Sequence, residues 1–287
     1  MHEMYDDEIK KNRHSAKPGI QESMIKGDLH SPFLLHISEG SAYKHLALED
    51  YLFSHQIPAF LFYINDPVVI IGKHQNPWIE TDPLRYSFAR RRSGGGSVYH
   101  DTGNVNYSFI MPRKLYHRDK IFSSICLAFE KMDMKIKITS TWALTAAGKK
   151  FSGSAFRQSN RMVLHHGTLL VHSDLDQMKT SLTSPYTVTD LKSTRSNPAE
   201  VINLQQLNPA LTTPMLIETL INEFKNHFHF AESNLVLPIL NSAELVNLIE
   251  FHQSTTWRFG DWMSLNTDYV TNPYYREDIH EKAGISE

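Results

Sequence analysis

The chain has 287 residues, with 29 Lys+Arg against 31 Asp+Glu for a formal charge of −2; 41% of its residues are hydrophobic and 21% charged. That is ordinary globular usage, without the bias of a disordered chain or the basic excess of a general nucleic-acid binder. The single cysteine, Cys126, excludes a disulfide framework and a Cys-rich zinc site by counting, and no stretch reaches the run of about 20 apolar residues that a membrane span needs.

Residues 1–31 mix Glu3, Asp6, Asp7, Glu8, Glu22 and Asp28 with five Lys or Arg. That is the profile of neither a signal peptide nor a transit peptide, and it predicts a flexible polar tail. Phe33 to Ile37 reads as a first strand and 41–54 as a short helix with Leu46, Leu48, Tyr51 and Leu52 near one face. Pro58 to Tyr63 and Val68 to Ile71 read as strands separated by the turn at Asn65-Asp66-Pro67. Asn104 to Met111 has strong β character, and 118–132 places Ile121, Phe122, Ile125, Cys126 and Phe129 at helical spacing, with Cys126 expected in the core. Leu164 to Val171 is strand-like. From Thr213 to Phe228 a helix is predicted, with Thr213 as N-cap, Pro214 in the first turn, and Leu216, Leu220, Phe224 and Phe228 every fourth residue. Strands and helices mingle without regular βα alternation, so the expected fold is α+β, with mixed sheets packed against helices.

Three segments carry chemistry. In Arg90-Arg91-Arg92-Ser93-Gly94-Gly95-Gly96-Ser97-Val98-Tyr99-His100-Asp101, the glycines let a ligand approach backbone N–H groups, and the arginines offer planar, bidentate charge to phosphate or carboxylate. The same string also suits a hairpin loop with solvated arginines, and neither common nucleotide fingerprint fits it. In Lys150-Phe151-Ser152-Gly153-Ser154-Ala155, a lysine beside small residues can bring its ammonium to an oxygen where charge develops, although a surface turn reads the same way. In His165-His166-Gly167-Thr168, adjacent strand residues face opposite ways, so one histidine packs and the other faces a pocket. His227-Phe228-His229 has chelate spacing but no third ligand nearby, so no metal site is expected. No Ser-His-acid or paired-carboxylate arrangement can be read from the sequence.

Taken in order, Arg-Arg-Arg-Ser-Gly-Gly-Gly-Ser-Val-Tyr-His-Asp-Thr-Gly-Asn, Lys-Phe-Ser-Gly-Ser-Ala and His-His-Gly-Thr-Leu-Leu resemble the lipoate–protein ligase and lipoyltransferase family. Gly72 to Trp78, Lys192 to Ser196 and Trp257 to Gly260 extend the resemblance over about residues 33–262, nearest to its mitochondrial lipoyltransferase branch. It implies the biotin and lipoate protein ligase type of catalytic domain over 32–262, preceded by the tail and followed by a short remnant, 263–287. It implies an enzyme that joins lipoate or octanoate to one lysine of a lipoyl carrier domain, on 2-oxoacid dehydrogenase E2 subunits or the glycine cleavage H protein. The acyl group is carried as lipoyl-AMP, or made from lipoate with ATP and Mg²⁺. By resemblance Lys150 is the catalytic lysine. Arg91, Ser93, Gly94, Gly95, Gly96, His100, Asp101, Asn104, Gly153, Ser154 and His166 surround the acyl-adenylate, and Val69, Ile70 and Ile71 are candidate lining for the acyl chain. The implied compartment is mitochondrial, with cytoplasm the alternative.

Two departures narrow the expectation. Members of the family carry an acid shortly before the catalytic lysine, where this chain has Ser140-Thr141-Trp142-Ala143-Leu144. Long ligases also continue into an accessory domain, whereas 27 residues follow Gly260 here, too few for an independent core, so a separate accessory subunit is one expectation. Transfer from a preformed acyl donor is therefore expected ahead of complete ATP-dependent ligation, with a non-catalytic carrier-binding adaptor as the remaining alternative.

Overall fold

The computed structural model describes residues 31–37, 40–188, 192–231 and 239–262. Nearly all of the expected N-terminal tail and the whole 263–287 remnant lie outside them. The central sheet has five strands in the order β1 (Phe33–Ile37), β2 (Ala59–Ile64), β6 (Asn104–Pro112), β11 (Met162–Leu170) and β10 (Ser154–Gln158). Only β1 and β2 run parallel. All six residues of β2 are buried, because alternate side chains serve two apolar layers. Leu61 and Tyr63 join Leu48, Leu52, Ile110, Leu164 and Leu245 on the side of α1 (Ala42–Ser54) and α6 (Ala243–Gln253). Phe60 and Phe62 join Phe109, Phe122, Leu220 and Phe224 on the side of α3 (Arg118–Lys131) and α5 (Thr213–His227).

Two small sheets flank this sandwich. One has the order β4 (Phe88–Arg90), β3 (Val68–Ile71), β5 (Val98–His100), with the glycine loop joining its outer strands. The other, β7 (Lys137–Ile138), β8 (Leu144–Ala146) and β9 (Lys149–Ser152), carries Lys150. The α+β expectation therefore holds.

Local details depart from the expected reading. Thr212, not Thr213, caps α5: its backbone is extended and its side chain accepts from the Met215 N–H, while Thr213 is already helical. Phe228 closes that helix as its C-cap. Cys126 is only partly buried rather than a core residue, flanked on the outer side of α3 by the charge of Glu130. Val69, Ile70 and Ile71 are 1%, 2% and 0% exposed and are packed into the core clusters.

One buried side chain ties distant segments together. Arg90, 2% exposed, donates through Nε to the carbonyls of Trp257 and Arg258 at 3.1 and 2.9 Å, and through Nη2 to that of Phe259 at 3.1 Å. Its Nη1 reaches the carbonyls of Gly72, Lys73 and Gln75 at 3.2, 3.0 and 2.7 Å. It thus serves the orphan carbonyls of the short helix α7 (Thr255–Phe259) and the turn entering α2 (Pro77–Glu80) together. Trp257 returns its indole N–H to the Arg90 carbonyl at 2.9 Å. Burial lowers the guanidinium to about 10, which leaves it charged at neutral pH. Arg90→Met strips six carbonyls of their donor and should cost at least about 3 kcal/mol. Arg90→Lys should recover little, because one ammonium cannot span both segments. Urea unfolding checks this, and a loss below about 1 kcal/mol contradicts the clamp.

Candidate functional site

The glycine loop leaves β4 through Arg91, Arg92 and Ser93. Arg91 turns inward: Nη2 donates to the carbonyls of Gly94 and Gly96, both at 2.7 Å, Nη1 to Ile70 at 3.1 Å and Nε to Ser93 Oγ at 3.0 Å. Four of its five donors are thus spent shaping the loop from within. Gly95 has φ of +89°, and an ideal Cβ on Gly72 would stand 2.2 Å from the Gly95 carbonyl oxygen. Glycine is required at both positions, one for conformation and one for contact.

Arg92 runs outward to Asp50 at 2.7 Å and lies over the rings of Phe251 and Trp257. Asp50 also receives Arg157 Nη1 at 2.5 Å and His252 Nε2 at 2.9 Å. Burial alone would raise its carboxyl, but His252 and the two arginines hold it well below the usual carboxylate range. The arginines expected to offer their charge to an anion are thus engaged by the protein itself, because a loop without side chains needs a braced stem.

A buried chain under the stem joins two expected residues, Ser93 and His166, to Glu49, which the sequence did not single out. Ser93 Oγ is 2.6 Å from His166 Nε2, and His166 Nδ1 is 3.1 and 3.2 Å from the two oxygens of Glu49. Glu49 also accepts the hydroxyls of Tyr63, at 2.9 Å, and Ser108. Ser93, His166 and Glu49 are 1%, 7% and 2% exposed. Nothing local in sequence marks Glu49 except that it and Asp50 interrupt an apolar run in α1. The two histidines divide as expected: His166 faces this cluster, while His165 stacks on Phe156 and packs among Tyr107, Phe109, Tyr116 and Phe122.

Lys150 lies on β9. Its Nζ stands beside Gly153, where an ideal Cβ would approach to 3.2 Å. It is half-buried, burial pushes its pKa down, and among the described residues no carboxylate pairs with it. Ser154 is held by the Tyr107 hydroxyl at 3.0 Å, and an ideal Cβ on Gly95 would meet Ala155 at 3.9 Å. The glycine loop, the Ser-Gly-Ser-Ala strand and His166 therefore share one locality. Residues 192–202 cross it as a strap. Thr194 N–H reaches the His74 carbonyl at 2.8 Å, and Ser196 Oγ bonds Ser97, Gln75 and Glu80. Lys150 N–H reaches the Glu200 carbonyl at 2.9 Å, while the Lys150 carbonyl accepts from Ile202 N–H at 3.0 Å.

The remaining candidates have positions of their own. His100 Nδ1 is 2.8 Å from Asn65 Nδ2, while its buried Nε2 has no partner and burial depresses its pKa to about 3. Asp101 accepts the backbone N–H groups of Gly103 and Asp174 at 2.9 and 2.8 Å, so it shapes the β5–β6 turn. Asn104 donates to Asn106 at 2.9 Å and leaves its own oxygen unpartnered. A surface cleft of about 440 Å³ lined by Asp82, Arg85, Tyr86, Asp176 and Lys179 shares no residue with the site.

These features define a lipoate-ligase type of catalytic domain. P. falciparum LipL1, solved in complex with lipoate, superimposes with a TM-score of 0.69 over 80% of this chain and 74% of that one, at 25% identity. The model for the lipoyl protein ligase A/B catalytic domain matches residues 41–225. Lipoate-protein ligase A of Psychrobacter cryohalolentis is 31% identical over 231 residues, 75% of this chain and 68% of the relative. Lipoyl amidotransferase LIPT1, mitochondrial, of Homo sapiens is 31% identical over 266 residues, 85% of this chain and 70% of the relative. The chain belongs to the lipoyl protein ligase A/B catalytic-domain family and is an enzyme that lipoylates proteins.

The brace on the loop has a pH signature. The folded pKa of Asp50 is depressed, so its contribution is complete above the unfolded value of about 3.9 and is lost as pH falls toward the folded value. Asp50→Asn should cost about 3 kcal/mol at pH 7, and the gap to wild type should shrink progressively below about pH 4. Unfolding measured from pH 7 to 3 checks this; a constant gap contradicts it.

Proposed function

We propose that the chain transfers a lipoyl or octanoyl group from acyl-AMP to one lysine of a lipoyl carrier domain, on E2 subunits or the glycine cleavage H protein, with residues 32–262 as the catalytic unit. The observation that carries this is Lys150, a half-buried cation with no counter-ion among the described residues, set beside Gly153 just ahead of Ala155, the residue that approaches the glycine loop. An ammonium that has lost part of its hydration and has no paired carboxylate is suited to an anionic ligand.

In the transfer, the carrier amine attacks the acyl carbonyl of the mixed anhydride. The N–C bond forms, the bond from carbonyl carbon to phosphate oxygen breaks, AMP leaves with the electron pair, and the amine proton passes to solvent. Lys150 stabilises the charge that develops on the carbonyl oxygen and then on the leaving phosphate. Backbone N–H groups of Gly94, Gly95 and Gly96 face the same ligand, and Ser93, Gly153, Ser154 and His166 form the surrounding wall. His100, Asp101 and Asn104 shape its far side.

Making the adenylate from ATP brings Mg²⁺, which needs one or two carboxylates beside the phosphates. The segment before Lys150 offers no acid, and both oxygens of Asp101 are occupied by backbone N–H groups. The segment before Lys150 thus supplies no carboxylate to Mg²⁺, and transfer from a preformed adenylate needs none. Complete ligation is the second reading, favoured by the equal 31% identity to a bacterial ligase; acylated carrier formed from lipoate, ATP and Mg²⁺ without added adenylate would establish it. The proposal places the enzyme in mitochondria, as its human relative is named. A tagged chain found in cytoplasm overturns that placement.

Lys150→Ala should reduce transfer from synthetic lipoyl-AMP to an apo carrier domain by about 10²–10³-fold, read by intact mass of the carrier; wild-type transfer refutes the role. The lowered pKa gives a second expectation. The charged form acts, so activity should fall as pH rises through a value below that of an ordinary lysine, about 10.4. Lys150→Arg should remove that alkaline decline while leaving the rise due to deprotonation of the carrier amine. An unchanged decline in Lys150→Arg assigns it to another group.

A further inference from the structure

Glu49 is given no part in the transfer above, yet the direction of every proton around it can be deduced. Burial by itself would raise the Glu49 carboxyl, but His166 and the hydroxyls of Ser108 and Tyr63 outweigh it and lower its pKa. An ionised carboxylate only accepts hydrogen bonds. His166 Nδ1, 3.1 Å from Glu49 Oε2, therefore carries a proton, and His166 Nε2 is the one acceptor that the hydrogen bonds of the described residues offer to the Ser93 hydroxyl. The two atoms are 2.6 Å apart, so the Ser93 hydroxyl is the donor there. Ser93 Oγ in turn accepts from the Arg91 guanidinium at 3.0 Å, which has no acceptor capacity. The chain runs one way, from Arg91 through Ser93 and His166 to Glu49, and joins α1, the loop stem and β11.

We propose that Glu49 is a positioning residue of the acyl-transfer site: it fixes His166 as the Nδ1–H tautomer and thereby holds the Ser93 hydroxyl in one direction at the root of the glycine loop. Glu49 acts through two intervening side chains, touching neither the donor nor the carrier. Ser108 and Tyr63 both donate to Oε1, which keeps the carboxylate in place when His166 is the only ring it orients. In Glu49→Gln the amide can donate to Nδ1. His166 is then free to become the Nε2–H tautomer, and Ser93 receives protons from both neighbours while its own loses its acceptor. The inference rests on the acyl-transfer reading for its kinetic arm, and on the geometry and charge of the buried cluster for its spectroscopic arm.

The test uses the full chain labelled with ¹⁵N-histidine, the His166 ring resonances being assigned by their loss in His166→Gln. Wild type should show protonated Nδ1 and bare Nε2; a bare Nδ1 in wild type overturns the proposal without any variant. Glu49→Gln should switch the tautomer and lower kcat for transfer from lipoyl-AMP by about 10–100-fold, the range for outer-shell partners, with KM for the carrier within about twofold. An unchanged tautomer, or a switched one with unchanged kcat, overturns it. Glu49→Asp keeps the charge and should retain the Nδ1–H form with kcat well above that of the Gln variant. An Asp variant as slow as Gln overturns it too, and decides the matter if Gln does not fold. If wild type acylates no carrier from lipoyl-AMP, it is the transfer reading that fails, while the tautomer result still stands.

Discussion

Three successive glycines bring no side chains with which to hold a loop, so this site depends on the three guanidinium groups of the loop's stem. They point three ways. Arg90 draws the carbonyls of α7 and of the Gly72–Gln75 turn together. Arg91 folds back and binds the loop's own carbonyls, and Arg92 reaches across to Asp50 on α1. Lysine would not serve, because a point charge cannot meet carbonyls arrayed on two sides of a plane. A freely hinged glycine loop would lose backbone entropy on each binding event; a braced one has lost it during folding.

That bracing also accounts for the charge layout. Asp50 answers Arg92 and Arg157, and Glu49 lies among His166, Tyr63 and Ser108. These acids sit side by side on α1 but face different groups, one fixing the outside of the stem and the other its inside. Buried charges of this kind are costly unless paired, and these are paired. Lys150 differs in being half-buried with no carboxylate against it among the described residues. The contrast lends weight to reading it as a group reserved for a ligand, since the same chain shows what its structural charges look like.

The central sheet, its helices and the convergence of three motifs are legible in the sequence because each has a local cause: the continuous apolar run of β2, fourfold spacing in α5, and glycines that only a close approach or an unusual φ requires. The roles of the arginines are not legible. A guanidinium next to glycines looks the same in sequence whether it will meet a phosphate or a carbonyl, and only the path of the chain decides. The Glu49–His166–Ser93 chain was hidden for a different reason: its members lie 44 and 73 residues apart and meet through packing of α1 against β11. Its one trace is the pair of acids inside an apolar run, where a charge is tolerated only with partners from elsewhere. Thr212 caps in place of Thr213 because two adjacent threonines offer the same hydroxyl and backbone conformation chooses between them.

The strap adds the last constraint. It is fastened at His74, at the cluster of Ser97, Gln75 and Glu80, and again on both sides of the Lys150 peptide, so it crosses from the glycine loop to the lysine strand instead of hanging from one of them. On the proposed transfer, a mixed anhydride is exposed to hydrolysis until an amine of the carrier domain reaches it. A strap fixed to both segments ties the glycine loop to the lysine strand, while the arginine stem sets the geometry of the loop itself. Its backbone bonds to Lys150 mean that whatever displaces the strap also disturbs the strand bearing the ammonium. The strap and the strand bearing the ammonium are therefore linked through two backbone hydrogen bonds of one residue.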